Sequence, residues 1–167
     1  MLVTNGFYNP IYIPRAVTVR SVNGPDSTMI FGGRYNRFFG GGSSCAYLAH
    51  GASLSGFTLT GGFAESGAGV FCESRTAVVS NCVVSGNQAG GGSDFELVYY
   101  RGYGGGAYGG TLNNCTLSDN SVTGYDTGNL FDPGAAYGGG AYDCTLNNCV
   151  LSGNSAVPDS YSRCDYW

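Results

Sequence analysis

Lysine is absent from this 167-residue chain, and charge of either sign is scarce. Seven arginines face eleven carboxylates, charged residues make up only 11%, and the net charge is −4. A phosphate-binding surface needs clustered cations, so this composition argues against nucleic acid as a partner. It also excludes a charged helical bundle. There is one histidine and no C-x-x-C, which argues against a zinc site. Long apolar runs are missing too: none approaches the ~18 residues of a membrane helix, and no stretch reads as a secretory signal. Glycine does not recur at every third position, so collagen is excluded.

What is present is 30 glycines, 43% apolar residues, 13 tyrosines, 9 phenylalanines and 7 cysteines. That much apolar surface, in a chain of one domain's length, can bury a continuous core. It is also too apolar for a disordered chain. Met1 leads into Leu2-Val-Thr-Asn-Gly6, the pattern of a strand end and a turn, as in a protein that begins further upstream.

Internal repeats decide the architecture. TLNNC occurs at 111–115 and 145–149, and GGGAY at 104–108 and 138–142, both at a shift of 34. A weaker copy runs from Gly67-Ala-Gly-Val-Phe71 to Val78-Val-Ser-Asn-Cys-Val-Val-Ser-Gly-Asn87. A fainter one holds Cys45-Ala-Tyr-Leu48 and Leu54-Ser-Gly-Phe-Thr-Leu-Thr-Gly-Gly62. Within a copy, three or four residues alternate apolar and polar between Asn and Gly turns, and no window carries a helical apolar stripe. Short strands repeating about every 33 residues describe a coil wound round a flat core, each coil bonded to the next at ~4.8 Å. The chain is therefore expected to be an all-β, parallel β-helix solenoid of roughly five coils, about 24 Å long. One domain, 1–167, divides into leading coils at 1–44 and repeat coils at 45–66, 67–104, 105–138 and 139–167.

Copies in register imply ladders. Asn81, Asn114 and Asn148 should stand in one column, and Asn87, Asn120 and Asn154 in another. Asparagine suits tight turns, and stacked amides can bond one another. The first copy carries Gly56 and Gly62 at these places, and Phe57 where the others carry Cys82, Cys115 and Cys149. These three cysteines read as small apolar fillers of an inward column. Cys45, Cys72, Cys144 and Cys164 lie outside it, and Cys144 and Cys149 flank one corner, where they could pair.

The asparagine-and-cysteine copies and the GGGAY segments resemble the right-handed parallel β-helix repeats of secreted or surface bacterial proteins. The stretch Gly6-Phe-Tyr…Ile11-Tyr-Ile-Pro…Val17-Thr-Val-Arg-Ser-Val-Asn-Gly-Pro25…Thr28-Met-Ile-Phe-Gly-Gly33 resembles the first coil of the pectate-lyase-like superfamily. The resemblance implies a right-handed coil, as parallel crossovers generally are, and an extracellular or bacterial cell-surface location. It implies little about activity, because lyases, hydrolases and adhesins share the fold. In related hydrolases a His-Gly corner stands among clustered aspartates. Here the strands beside His50 offer Ser53, Ser55, Thr58 and Thr60, so His50 reads as a surface-turn residue. Glycoside hydrolysis needs two carboxylates about 5–10 Å apart, and no such motif stands out. Asp119 and Asp143 sit at turn positions that are Gly or small in a neighbouring copy. No cofactor is called for; Asp126-Thr-Gly-Asn129-Leu-Phe-Asp132 could hold calcium, though without EF-hand spacing.

The copies differ mainly in two long insertions leaving one corner, so two loops should protrude from one side. They bring Phe95, Tyr99, Tyr100, Arg101 and Tyr103, and Tyr125, Asp126, Phe131, Asp132 and Tyr137. Tyrosine has an apolar face and a polar tip, and sugars offer C–H faces and hydroxyls. The expected function is a non-catalytic secreted or surface module that binds a neutral polysaccharide or another surface molecule. The alternative is a truncated polysaccharide lyase or glycoside hydrolase. Open coil ends also imply a homo-oligomer.

Overall fold

A computed structural model of the protein describes residues 1–33, 42–90, 101–124 and 135–158. The described residues form short strands and no helix. Every strand pairing is parallel, and the chain visits the same sheets in the same order on each circuit. This is a parallel β-helix, with the right-handed coiling expected of parallel crossovers. Sheet one stacks Leu2–Val3, Thr18–Ser21, Ser53–Ser55, Val78–Ser80, Thr111–Asn113 and Thr145–Asn147. Sheet two stacks Gly6–Tyr8, Thr28–Phe31, Thr58–Thr60, Val83–Ser85, Thr116–Ser118 and Val150–Ser152. Sheet three holds Ile11–Ile13, Ala46–Leu48, Val70–Cys72, Ala107–Tyr108 and Ala141–Tyr142. Sheet four holds Phe63–Ala64, Gln88–Gly90, Ser121–Gly124 and Ser155–Pro158, and a further pair joins Gly102–Tyr103 to Ala136–Tyr137.

Ser53, Val78, Thr111 and Thr145 stand in one column, so successive coils are 25, 33 and 34 residues long. Strand alternation turns Leu54, Val79, Leu112 and Leu146 inward from sheet one, and Leu59, Val84, Leu117 and Leu151 inward from sheet two. The middle members are fully buried, with Phe57, Ile30 and Val70 among them. Corners between sheets demand left-handed backbone. Asn81, Asn114 and Asn148 have φ of 50°, 52° and 51° where the first copy has Gly56 at 79°. Asp119 (55°) shares a second such corner with Gly61, Gly86 and Gly153, and Asp143 (51°) a third with Gly109. The left-handed turn explains why these places hold Asn, Asp or Gly.

Candidate functional site: an aromatic face on sheet three

Tyr12, Tyr47, Phe71, Tyr108 and Tyr142 are register partners on successive strands of sheet three. Alternation turns them outward, and the 4.8 Å coil spacing brings ring onto ring. Centroids are 4.6, 5.5, 5.0 and 5.8 Å apart along the column, and Phe71 lies nearly parallel to Tyr47 (9°) and Tyr108 (4°). A second, shorter stack joins the last ring. Tyr103 and Tyr137 are parallel within 9° at 5.4 Å, and they lie 5.0 and 6.0 Å from Tyr142. Stacked rings cover one another's faces. Free ring surface is therefore greatest on Tyr12, at the start of the column, and on Tyr137 and Tyr142 at its other end.

Polar groups border this face. Tyr47 Oη donates to Glu73 Oε1, and this bond pushes the phenol up to about 12. The other Glu73 oxygen accepts from the His50 backbone N–H at 3.3 Å and lies 3.8 Å from His50 Nε2. On the same flank the Arg75 guanidinium donates to Asp143 Oδ1 at 2.7 Å, two coils away. That carboxylate raises the arginine further still. All four of these side chains are solvated, so the pairs define charge positions and add little stability. Among the described residues no group of three His, Cys, Asp or Glu side chains could hold a metal ion.

Of the loop residues expected to bind, Arg101, Tyr103 and Tyr137 are described, and the two tyrosines are brought together. Phe95, Tyr99, Tyr100, Tyr125, Asp126, Phe131 and Asp132 lie outside the described residues, as does the calcium segment they include. Sequence reasoning missed the sheet-three column. Its signal was an aromatic residue after Ala, Val or Ile at 12, 47, 71, 108 and 142, four of them within the aligned copies, whose outward direction was not read. It also missed Glu73 beside His50, because the partner comes from the next coil and not from the adjacent strand.

The structural columns lie within the wall and core. Asn87 and Asn120 are buried, and Asn154 is half-buried. Asn87 Nδ2 donates to Asn120 Oδ1 at 2.9 Å, and Asn120 Nδ2 to Asn154 Oδ1 at 2.9 Å. The same Nδ2 groups donate to the carbonyls of Leu59 and Val84, while Asn87 Oδ1 accepts from Gly62 N–H at 2.9 Å. Asn81, Asn114 and Asn148 are exposed corner residues instead. Cys82 and Cys115 are buried, and Cys149 is half-buried at the end of their column. The contact with Cys115, together with burial, raises the Cys82 thiol, and the same contact lowers the Cys115 thiol. Cys144 and Cys149 are both free thiols.

No family model matches the chain, and no curated protein matches it. Among solved structures it is similar to pectin methylesterase from carrot, with a TM-score of 0.46 and 11% identity. The match covers 92% of this chain and 53% of that enzyme, so the chain spans about half the enzyme's length. The parallel β-helix rests on the chain's own strand register.

Proposed function

We propose that the protein is a non-catalytic repeat module, of secreted or surface type in a bacterium, that binds a neutral glycan through its aromatic face and the two loops beside it. One observation carries this reading: the Tyr103–Tyr137 stack meets the Tyr108–Tyr142 column where both insertions rejoin the solenoid. Rings with partly free faces suit the C–H faces of sugars, and the tyrosine hydroxyls and nearby carboxylates suit sugar hydroxyls. A net charge of −4 favours a neutral chain over an acidic one. The solenoid backbone holds the rings in place before binding, so little ordering entropy is lost on contact. Association of copies through the exposed last coil belongs to the same reading.

A neutral-glycan array should give weak, saturable binding. Tyr137→Ala with Tyr142→Ala should lower it at least about tenfold while the circular dichroism stays unchanged. Retained binding in that variant, or no glycan bound by the native chain, overturns the proposal. A lyase or hydrolase origin predicts new reducing ends or unsaturated products from pectin, and those would overturn it as well.

A further inference from the structure

Tyr12 and Tyr47 stand opposite each other on the paired strands Ile11–Ile13 and Ala46–Leu48. Ile11 N–H donates to Cys45 O and Ala49 N–H to Ile13 O, both at 3.0 Å, so backbone bonds at each end fix their register. The ring centroids are 4.6 Å apart at a tilt of 32°, the closest pair in the sheet-three column. Both side chains point out of the wall, where small solutes reach them. The contact belongs to these two strands alone.

Among the described residues, Tyr47 is the one phenol of the column that donates to a carboxylate, Glu73 Oε1. The other Glu73 oxygen is held by the His50 backbone N–H at 3.3 Å. A phenol resists losing an electron while its proton stays, because a charged ring cation is left behind. A carboxylate already bonded to the hydroxyl takes that proton as the electron goes. Glu73 therefore marks Tyr47 as the ring that is oxidised first. Phe71, stacked on its other side at 5.5 Å, has no hydroxyl and blocks coupling toward Tyr108. Tyr12 is the phenol left within reach. Tyr103–Tyr137 and Tyr108–Tyr142 are stacked too, at 5.4 and 5.8 Å, but no carboxylate among the described residues accepts from them.

We infer that Tyr12 and Tyr47 are a modification site, joined into a dityrosine link between coils by hydrogen peroxide and a haem peroxidase. Each tyrosine gives up one electron and its phenolic proton, and Glu73 receives the Tyr47 proton before passing it to water. A carbon–carbon bond forms between the ring carbons beside the two hydroxyls. The hydrogens on those carbons then move to the oxygens and restore both phenols. Peroxide accepts the two electrons and two protons, its O–O bond breaks, and two waters leave. The link ties two coils that no disulfide joins among the described residues, and closing such a loop restricts the unfolded chain.

The test treats the whole chain, at high dilution, with hydrogen peroxide and a haem peroxidase. Dityrosine fluorescence should appear in the monomer, with a mass lower by two hydrogens. Cleavage after arginine should then yield residues 1–15 joined to residues 38–75. The first peptide has no cysteine and the second no tyrosine but Tyr47, so a disulfide cannot mimic the product. Tyr12→Phe should remove the joined peptides, and Glu73→Gln should slow their appearance several-fold with the circular dichroism unchanged. The linked chain should unfold at a higher urea concentration than the untreated one. The inference fails if the joined peptides do not form, if they persist in Tyr12→Phe, or if Glu73→Gln forms them at the native rate. It also fails if the links join separate chains only, or if a link within residues 102–163 accumulates first.

Discussion

At the residue scale, the buried asparagines carry more than their size suggests. Asn87 satisfies Gly62 N–H, Leu59 O and the amide of Asn120 at once, and it is buried. Asn87→Ala leaves those groups unpaired, and each costs ~1–3 kcal/mol. The expected loss is about 3 kcal/mol in urea unfolding, against about 1 kcal/mol for Asn154→Ala, whose surroundings are half open. The thiols set an alkaline limit. Burial raises Cys45, Cys72 and Cys144 from an ordinary 9.0 to about 12. A raised acid leaves stability intact below its unfolded pKa and removes it as pH climbs toward the folded one. Unfolding midpoints should therefore fall between about pH 9 and pH 12, and Cys72→Ala should flatten part of that fall. A midpoint insensitive to pH in that window would contradict it.

At the element scale, equivalent strands differ in what lies above them. Leu112 and Leu117 are 0% exposed, whereas Leu146 and Leu151, one coil further on, are 38% and 48% exposed. Leu112→Ala should cost about 3 kcal/mol and Leu146→Ala about 1 kcal/mol, because only the first opens an enclosed cavity. Equal losses would mean that the last coil is covered in solution. Strand placement was legible because TLNNC and GGGAY fix two coils in register and the weaker copies extend them. The Asn87 column was legible for the same reason. The division of labour between the two asparagine columns was not. Asn81 and Asn87 look alike in sequence, yet one sits at a left-handed corner facing solvent and the other stands at the far end of the next strand, Val83–Ser85, and faces in. Most members of the aromatic column were aligned by the GGGAY copies, but which way their rings point depends on strand alternation, which a two-residue strand such as Ala107–Tyr108 is too short to show in sequence. Likewise, the meeting of His50 and Glu73 depends on a coil length of 25 that no local motif announces.

At the scale of the whole molecule, Leu146, Val150, Leu151 and Val157 stand exposed on strands that have no outer partner among the described residues. Exposed parallel edges with apolar side chains favour pairing. Light scattering should show mass rising with concentration, and replacing Leu151 by Lys should suppress it; a constant monomer mass in the native chain would refute the association.

The all-parallel register has a mechanical consequence. The hydrogen bonds between coils run along the solenoid axis, so tension applied to the two chain ends loads them a few at a time and peels one coil before the next. Each released coil lengthens the chain by its own contour, ~3.4 Å per residue. Single-molecule pulling should then record unequal steps: about 115 Å for the coils of 33 and 34 residues, and about 85 Å for the one of 25. The order of long and short steps would reveal from which end the molecule yields.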